Sequence, residues 1–380
     1  MSASHHKSAN PDQVLAIDIL RFVAAMLVLA YHLGSLGMRG IDERLAGVID
    51  ERLIYTALRP FTSFGWIGVE IFFVISGYVI SISAAHSQTW PFVRKRFLRL
   101  APAAWVCATA TLTLLLLTTD WNRSALLEEW LVSVTLSPFG SAIDPAYWTI
   151  GIEVAFYGLV ATQLRGPDQA IRLQRLSVII GLISVAFAIA VQSGLAPAQP
   201  SDIWKLLLVQ HGCFFALGMT IRTANAKGWT RNSAIFCMLL VLASLLEIHA
   251  HQDDLTLRAT SLFTPPILTF VMAMLFLIKA PRLQRKLSGP KARHAVTLLG
   301  KTTYPLYLIH QTSGSIMIGL LLGAGVTGSI ALAVTVITVV AIAMLIAAHV
   351  EPAVRAYTAR TVFNRVPRPD SQPTAFPSTG

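Results

Sequence analysis

Several ionisable side chains stand inside apolar runs, where each costs at least about 2.5–3.5 kcal/mol to insert and therefore marks a site. The run from Leu15 to Gly37 carries Asp18, Arg21 and His32. Asp18 and Arg21 are three residues apart, so on a helix they are neighbours and can pair. Arg21 and His32 are eleven residues apart. That spacing is three helical turns plus about 20°, so both would point the same way, about 16 Å apart along the axis. Glu70 and Glu153 lie in two further apolar runs, about 6 Å beyond Trp66 and about 7.5 Å beyond Trp148, and His32 lies about 7 Å from the end of its own run. Two carboxylates and an imidazole would thus share one layer. A carboxylate bonded to an imidazole fixes its tautomer and supports general-base chemistry. The same trio would serve equally as polar glue between helices, and the residues alone leave both readings open.

The segment "RKRFLRLAP" at 94–102 places Arg96 and Arg99 three residues apart, a spacing that suits bidentate recognition of phosphate. His310, alone in a late apolar run beside Tyr304 and Tyr307, reads by itself as a packing histidine. His249 and His251, in "EIHAHQDD", are expected in a solvated loop and not around a metal. The three cysteines, Cys107, Cys213 and Cys237, all fall in apolar runs and form neither a disulfide framework nor a zinc spacing.

The elements that must position these groups are membrane helices. Of 380 residues 54% are hydrophobic and only 13% charged, against roughly 25% charged in a soluble domain, and mean hydropathy is +0.61. Runs of about 20 apolar residues predict an all-α integral membrane protein with about ten transmembrane helices, near 15–37, 62–84, 101–119, 146–164, 176–193, 203–221, 233–248, 259–279, 302–322 and 328–349. The first run carries Asp18 and Arg21 and lacks a small-residue cleavage site, so no cleavable signal peptide is expected.

Lysine and arginine orient the spans. With both termini cytoplasmic, the inner segments hold 22 of the 30 Lys and Arg and four of the 19 Asp and Glu, and the outer segments hold seven basic and twelve acidic residues. The net charge of +11 is then explained by topology and contact with lipid headgroups, with no nucleic acid needed. Residues 1–14 are expected to form a cytoplasmic tail, 15–350 the membrane domain and 351–380 a flexible cytoplasmic tail. A transporter or flippase of a lipid-linked sugar is the rival reading, with a non-catalytic membrane partner behind it. Transporters often carry matching interrupted helices in two halves, whereas the intramembrane charges here crowd into the first four spans.

Five segments in order resemble the family-3 membrane acyltransferases: "DILRFVAAMLVLAYHL" (18–33), with Arg21 and His32 in an Arg-x10-His motif, "GWIGVEIFFVISGYVI" (65–80), "FVRKRFLRLAPAAW" (92–105), "YWTIGIEVAFYGL" (147–159) and "TYPLYLIHQT" (303–312). The resemblance implies transfer of an acyl group, usually acetyl, from cytoplasmic acyl-CoA to a hydroxyl of a carbohydrate or glycoconjugate. It places the enzyme in the bacterial plasma (inner) membrane, in a stand-alone form without an appended extracytoplasmic domain, and it implies no metal. His32 would act as general base with Glu153 orienting it, or would carry the acyl group itself. Arg21 would join His32 and Glu153 as a catalytic residue, Arg96 and Arg99 would hold the nucleotide phosphates, Arg21, Tyr307 and His310 would line the acyl-CoA path, and Asp18, Glu70, Ser76 and Trp148 would support substrate or structure. The oligomeric state stays open, a homodimer included.

Overall fold

The structure, a computed structural model, describes residues 15–35, 57–85, 87–197, 199–254, 264–286 and 289–363. Among them every regular element is helical. The chain runs through α1 (Leu15–Ala30), α2 (Arg59–Thr62), α3 (Ile67–Ala84), α4 (Thr89–Thr118), α5 (Arg123–Val134), α6 (Trp148–Thr162), α7 (Gln169–Gln192) and α8 (Asp202–Leu206). It continues through α9 (Gly212–Lys227), α10 (Arg231–Asp254), α11 (Pro265–Lys286), α12 (Pro290–Ile309), α13 (Thr312–Gly323), α14 (Gly328–Leu345) and α15 (Glu351–Thr358).

Each of the ten predicted spans contains a helix, but not every helix is a full span. Among the described residues seven are long and apolar enough to cross a membrane, and α12 with α13 makes an eighth if the pair, bent by 70°, counts as one. The helices α6 and α9, at 15 and 16 residues, fall short of that length. Their neighbourhoods explain it: a 3-10 turn, Pro145–Tyr147, feeds α6, and the short α8 precedes α9. The chain is a multi-span helical membrane protein. Outward-facing apolar side chains such as Leu117, Met238 and Ile337 suit a lipid surround.

α3 lies at the centre, packed on α1 and α9. The contact is close because glycines meet backbone. A Cβ on Gly77 would clash with the Phe215 carbonyl, and one on Gly218 with that of Val74. Small residues permit this approach where no hydrophobic force drives helices together in lipid. Asp18 on α1 packs in the same way over Gly300 of α12, where an added Cβ would stand 2.6 Å from the Asp18 Cβ.

Three local differences from the sequence reading matter for the site. The stretch holding His249 and His251 is the last part of α10, not a loop. The chain stays helical from Glu351 to Phe363, where a flexible tail was expected, with α15 packed against α4; the expected tails at 1–14 and 364–380 lie outside the described residues. The predicted span 302–322 breaks at His310 and Gln311, between α12 and α13. Asp144 sits at that break, accepting from the Thr312 amide (2.9 Å) through one carboxylate oxygen and from the Ala146 amide (2.9 Å) through the other.

Candidate functional site

Five helices converge on a cleft of about 770 Å³. α1 contributes Arg21, α3 Phe72 and Ser76, α4 Arg96 and Arg99, α6 Thr149, Glu153 and Tyr157, and α12 Tyr304 and Tyr307. Glu153 is its central acid. One of its oxygens accepts from Ser76 Oγ at 2.6 Å and from the Tyr157 hydroxyl at 2.5 Å. Tyr157 follows Glu153 by one helical turn, so that second bond is built into α6.

The three guanidiniums are held apart by different partners. Arg21 Nη1 lies 3.5 Å from Asp18 Oδ1. Arg96 donates to Ser83 Oγ at 3.0 Å and lies over the rings of Phe92 (5.5 Å) and Tyr157 (5.8 Å). Arg99 reaches Glu351 Oε1 at 3.4 Å and lies 5.5 Å over the Tyr304 ring. Cation–π contact fixes direction while leaving N–H groups for an anion. A cleft lined by three arginines and by aromatic side chains suits a ligand with a polyanionic head and a less polar arm.

His32 departs from its expected place. It lies in a π-helical turn, Tyr31–Ser35, that ends the first helix; such turns re-aim side chains and recur at functional sites. Its partner is His310: His32 Nδ1 stands 2.9 Å from His310 Nε2. His310 Nδ1 in turn stands 2.8 Å from the Tyr307 carbonyl oxygen. A carbonyl only accepts, so His310 carries its proton on Nδ1 and offers the lone pair of Nε2. His32 must then donate from Nδ1, which leaves its own Nε2 as a lone pair, the tautomer a base requires. Tyr307 ties this pair to the cleft, because its ring lines the cleft and its hydroxyl accepts from Thr149 Oγ1 at 3.0 Å.

The structure therefore gathers Arg21, Arg96, Arg99, Glu153, Ser76 and Tyr307 and separates the expected His32–Glu70–Glu153 layer. Glu153 pairs with Ser76 and Tyr157, and the break after α12 brings His310 to His32 instead. His310 does not line the arginine cleft, unlike its expected place on the acyl-CoA path. Glu70 and Trp148 face a second pocket, with Trp66, His211 and Glu247. Asp18 supports Arg21 as expected. Among the described residues no group of three or more His, Cys, Asp or Glu is arranged to hold a metal ion.

Sequence reasoning missed Tyr157, Asp144, Glu351 and the His211–Glu247 pair. Tyr157 was findable, one turn from Glu153. Asp144 precedes Pro145 and Trp148, a helix-start signal, although its bond to Thr312 spans 168 residues. His211 and Glu247 meet at 2.9 Å across 36 residues with no local signal, and Glu247 had been counted among the outer acids.

Comparison with known proteins identifies the family. A family model described as an acyltransferase domain matches residues 14–348. The exopolysaccharide production protein ExoZ of Rhizobium meliloti (strain 1021) is 28% identical over 295 residues, covering 73% of this chain and 86% of ExoZ. The O-acetyltransferase OatA of Staphylococcus aureus (strain NCTC 8325 / PS 47) is 29% identical over 176 residues, covering 40% of this chain and only 29% of OatA. No solved structure matches.

Proposed function

Because the chain belongs to the acyltransferase family whose model spans residues 14–348, we propose that it is a multi-pass O-acyltransferase of the bacterial plasma membrane. In this reading it moves an acyl group, acetyl first, from cytoplasmic acyl-CoA to a hydroxyl of a carbohydrate or glycoconjugate. The observation that carries the reading is the joining, through the single residue Tyr307, of a three-arginine cleft to a hydrogen-bonded His32–His310 pair.

The residues divide the work as follows. Arg96 and Arg99 hold the donor's phosphates at the mouth, and Arg21 lies deeper along the thioester arm. Glu153, fixed by Ser76 and Tyr157, holds the arm's amide N–H groups. His32 Nε2 takes the proton of the acceptor hydroxyl as its oxygen attacks the thioester carbonyl. When the tetrahedral intermediate collapses, the C–S bond breaks and the His32 imidazolium returns that proton to the departing thiolate. His310 fixes the His32 tautomer throughout. A carbohydrate acceptor accords with the name of ExoZ, an exopolysaccharide production protein, and transfer of acetyl to oxygen with that of OatA, an O-acetyltransferase.

The test is transfer of label from radiolabelled acetyl-CoA to a mixture of candidate glycans in membranes, comparing wild type with His32→Ala. Loss of a general base lowers turnover by about 10²–10⁴-fold, so label should reach carbohydrate only with His32 intact. Transfer at the wild-type rate without His32 would remove it from this role.

A further inference from the structure

A second pocket, of about 670 Å³, lies at the end of α3 opposite Ser83 and Arg96. Val69 lines both this pocket and the arginine cleft. Phe73 stands between them, its ring 5.1 Å from that of His211 and 6.4 Å from that of Trp148. The two spaces are thus neighbours across one layer of side chains.

Two polar atoms of the pocket lack what burial demands. Trp66 Nε1 and Glu70 Oε2 are buried with no hydrogen-bond partner among the described residues, on side chains of residues only 5% and 8% exposed. Buried polar atoms in native proteins are almost always bonded, and exceptions call for an explanation. Here both atoms, an indole N–H and a carboxyl oxygen, line the same pocket. The lysine at the pocket is matched, Lys205 Nζ lying 3.3 Å from Asp202 Oδ1, and His211 Nδ1 is held 2.9 Å from Glu247 Oε1.

We propose that this pocket is the acceptor subsite and takes a neutral, hydroxyl-rich ring, a pyranose unit of a glycan. The proposal rests on the transferase reading above. A hydroxyl both donates and accepts, so adjacent hydroxyls of one ring satisfy the Glu70 carboxyl group and the Trp66 N–H together. Trp66 and Trp148 line the pocket and offer flat apolar surfaces to the ring's C–H face. An acidic sugar would find no unmatched lysine or arginine among these residues. The shared Val69 boundary sets such a ring one side chain from the donor's cleft.

The test uses the purified full chain in lipid nanodiscs. Saturation-transfer NMR would measure binding of methyl β-D-glucopyranoside, methyl β-D-galactopyranoside and methyl β-D-glucuronoside, and acetyl-CoA binding would be measured in parallel. The variants are Glu70→Gln, which replaces the carboxyl group by an amide of the same shape, and Trp148→Ala, at a half-exposed position where folding is tolerant. Neutral pyranosides should bind wild type and bind both variants up to about tenfold more weakly, as loss of one hydrogen bond or one aromatic contact implies, with acetyl-CoA binding unchanged. If Glu70→Gln loses acetyl-CoA as well it has misfolded, and Trp148→Ala decides. Equal pyranoside binding by wild type and variants overturns the proposal. So does a wild type that binds acetyl-CoA but no neutral pyranoside, or one that prefers the glucuronoside. Pyranoside binding without acetyl-CoA binding would instead overturn the transferase reading and leave a glycan site.

Discussion

At the scale of single residues, the consequential contact is between two histidines 278 positions apart. His310 touches neither the cleft nor the carboxylates and acts through His32, so it is a positioning residue. His310→Ala should lower kcat by on the order of 10²-fold, as loss of a correctly held base does, with the KM for acetyl-CoA unchanged. Steady-state kinetics with acetyl-CoA varied would check this. A loss confined to the acetyl-CoA KM would instead put His310 on the donor path, where sequence similarity had placed it. The three arginines were legible because a cation inside or beside an apolar run can be counted and its helical phase computed. The His32 pairing was not. Periodicity assumes an unbroken helix, and here a π turn at one end and a helix break at the other re-aim both rings.

At the scale of elements, the break between α12 and α13 is what presents His310, and Asp144 holds it. Its carboxylate satisfies the first amide of α13 and the start of the turn that feeds α6, so it fixes the helix carrying His310 against the helix carrying Glu153. Asp144 is fully buried. Asp144→Ala leaves the Thr312 and Ala146 amides without that acceptor, at about 1–3 kcal/mol for each unsatisfied group. The expected result is a lower Tm in detergent, measured by scanning fluorimetry, and a fall in kcat that exceeds any change in acetyl-CoA affinity. An unchanged Tm would show that water or another group replaces the carboxylate and that the break needs no such anchor. Much of the element order was readable, since a helix stands in every predicted run. The break was hidden because the short polar cluster "HQTSGS" at 310–315 is flanked by apolar residues on both sides, and hydropathy averages across a bend.

At the scale of the whole molecule, the direction of transfer depends on which end of α3 faces the cytoplasm. The cleft mouth is at the Ser83 end with Arg96 and Arg99, and the second pocket is at the Trp66 end. Positive charge in the segments beyond the Ser83 end argues that this end is inner, where acyl-CoA is made. Helix number bears on the same question. Seven crossings would put the termini on opposite sides; ten, with α6, α9 and the bent pair all crossing, put them together. A 15-residue helix is only about 22 Å long against a hydrocarbon core of about 30 Å. Yet α6 and α9 each continue from a short turn or helix, α6 carries side chains of the cleft and α9 packs closely on α3, so we expect both to cross. Alkaline phosphatase fused after Ser87, Thr119 and Phe363 should be active only after Thr119, with green fluorescent protein bright at the other two points. Activity after Phe363 would mean an odd number of crossings. Activity after Ser87 would turn the arginine cleft away from the cytoplasm, where it could meet no acyl-CoA, and the transferase geometry proposed above would fail with it.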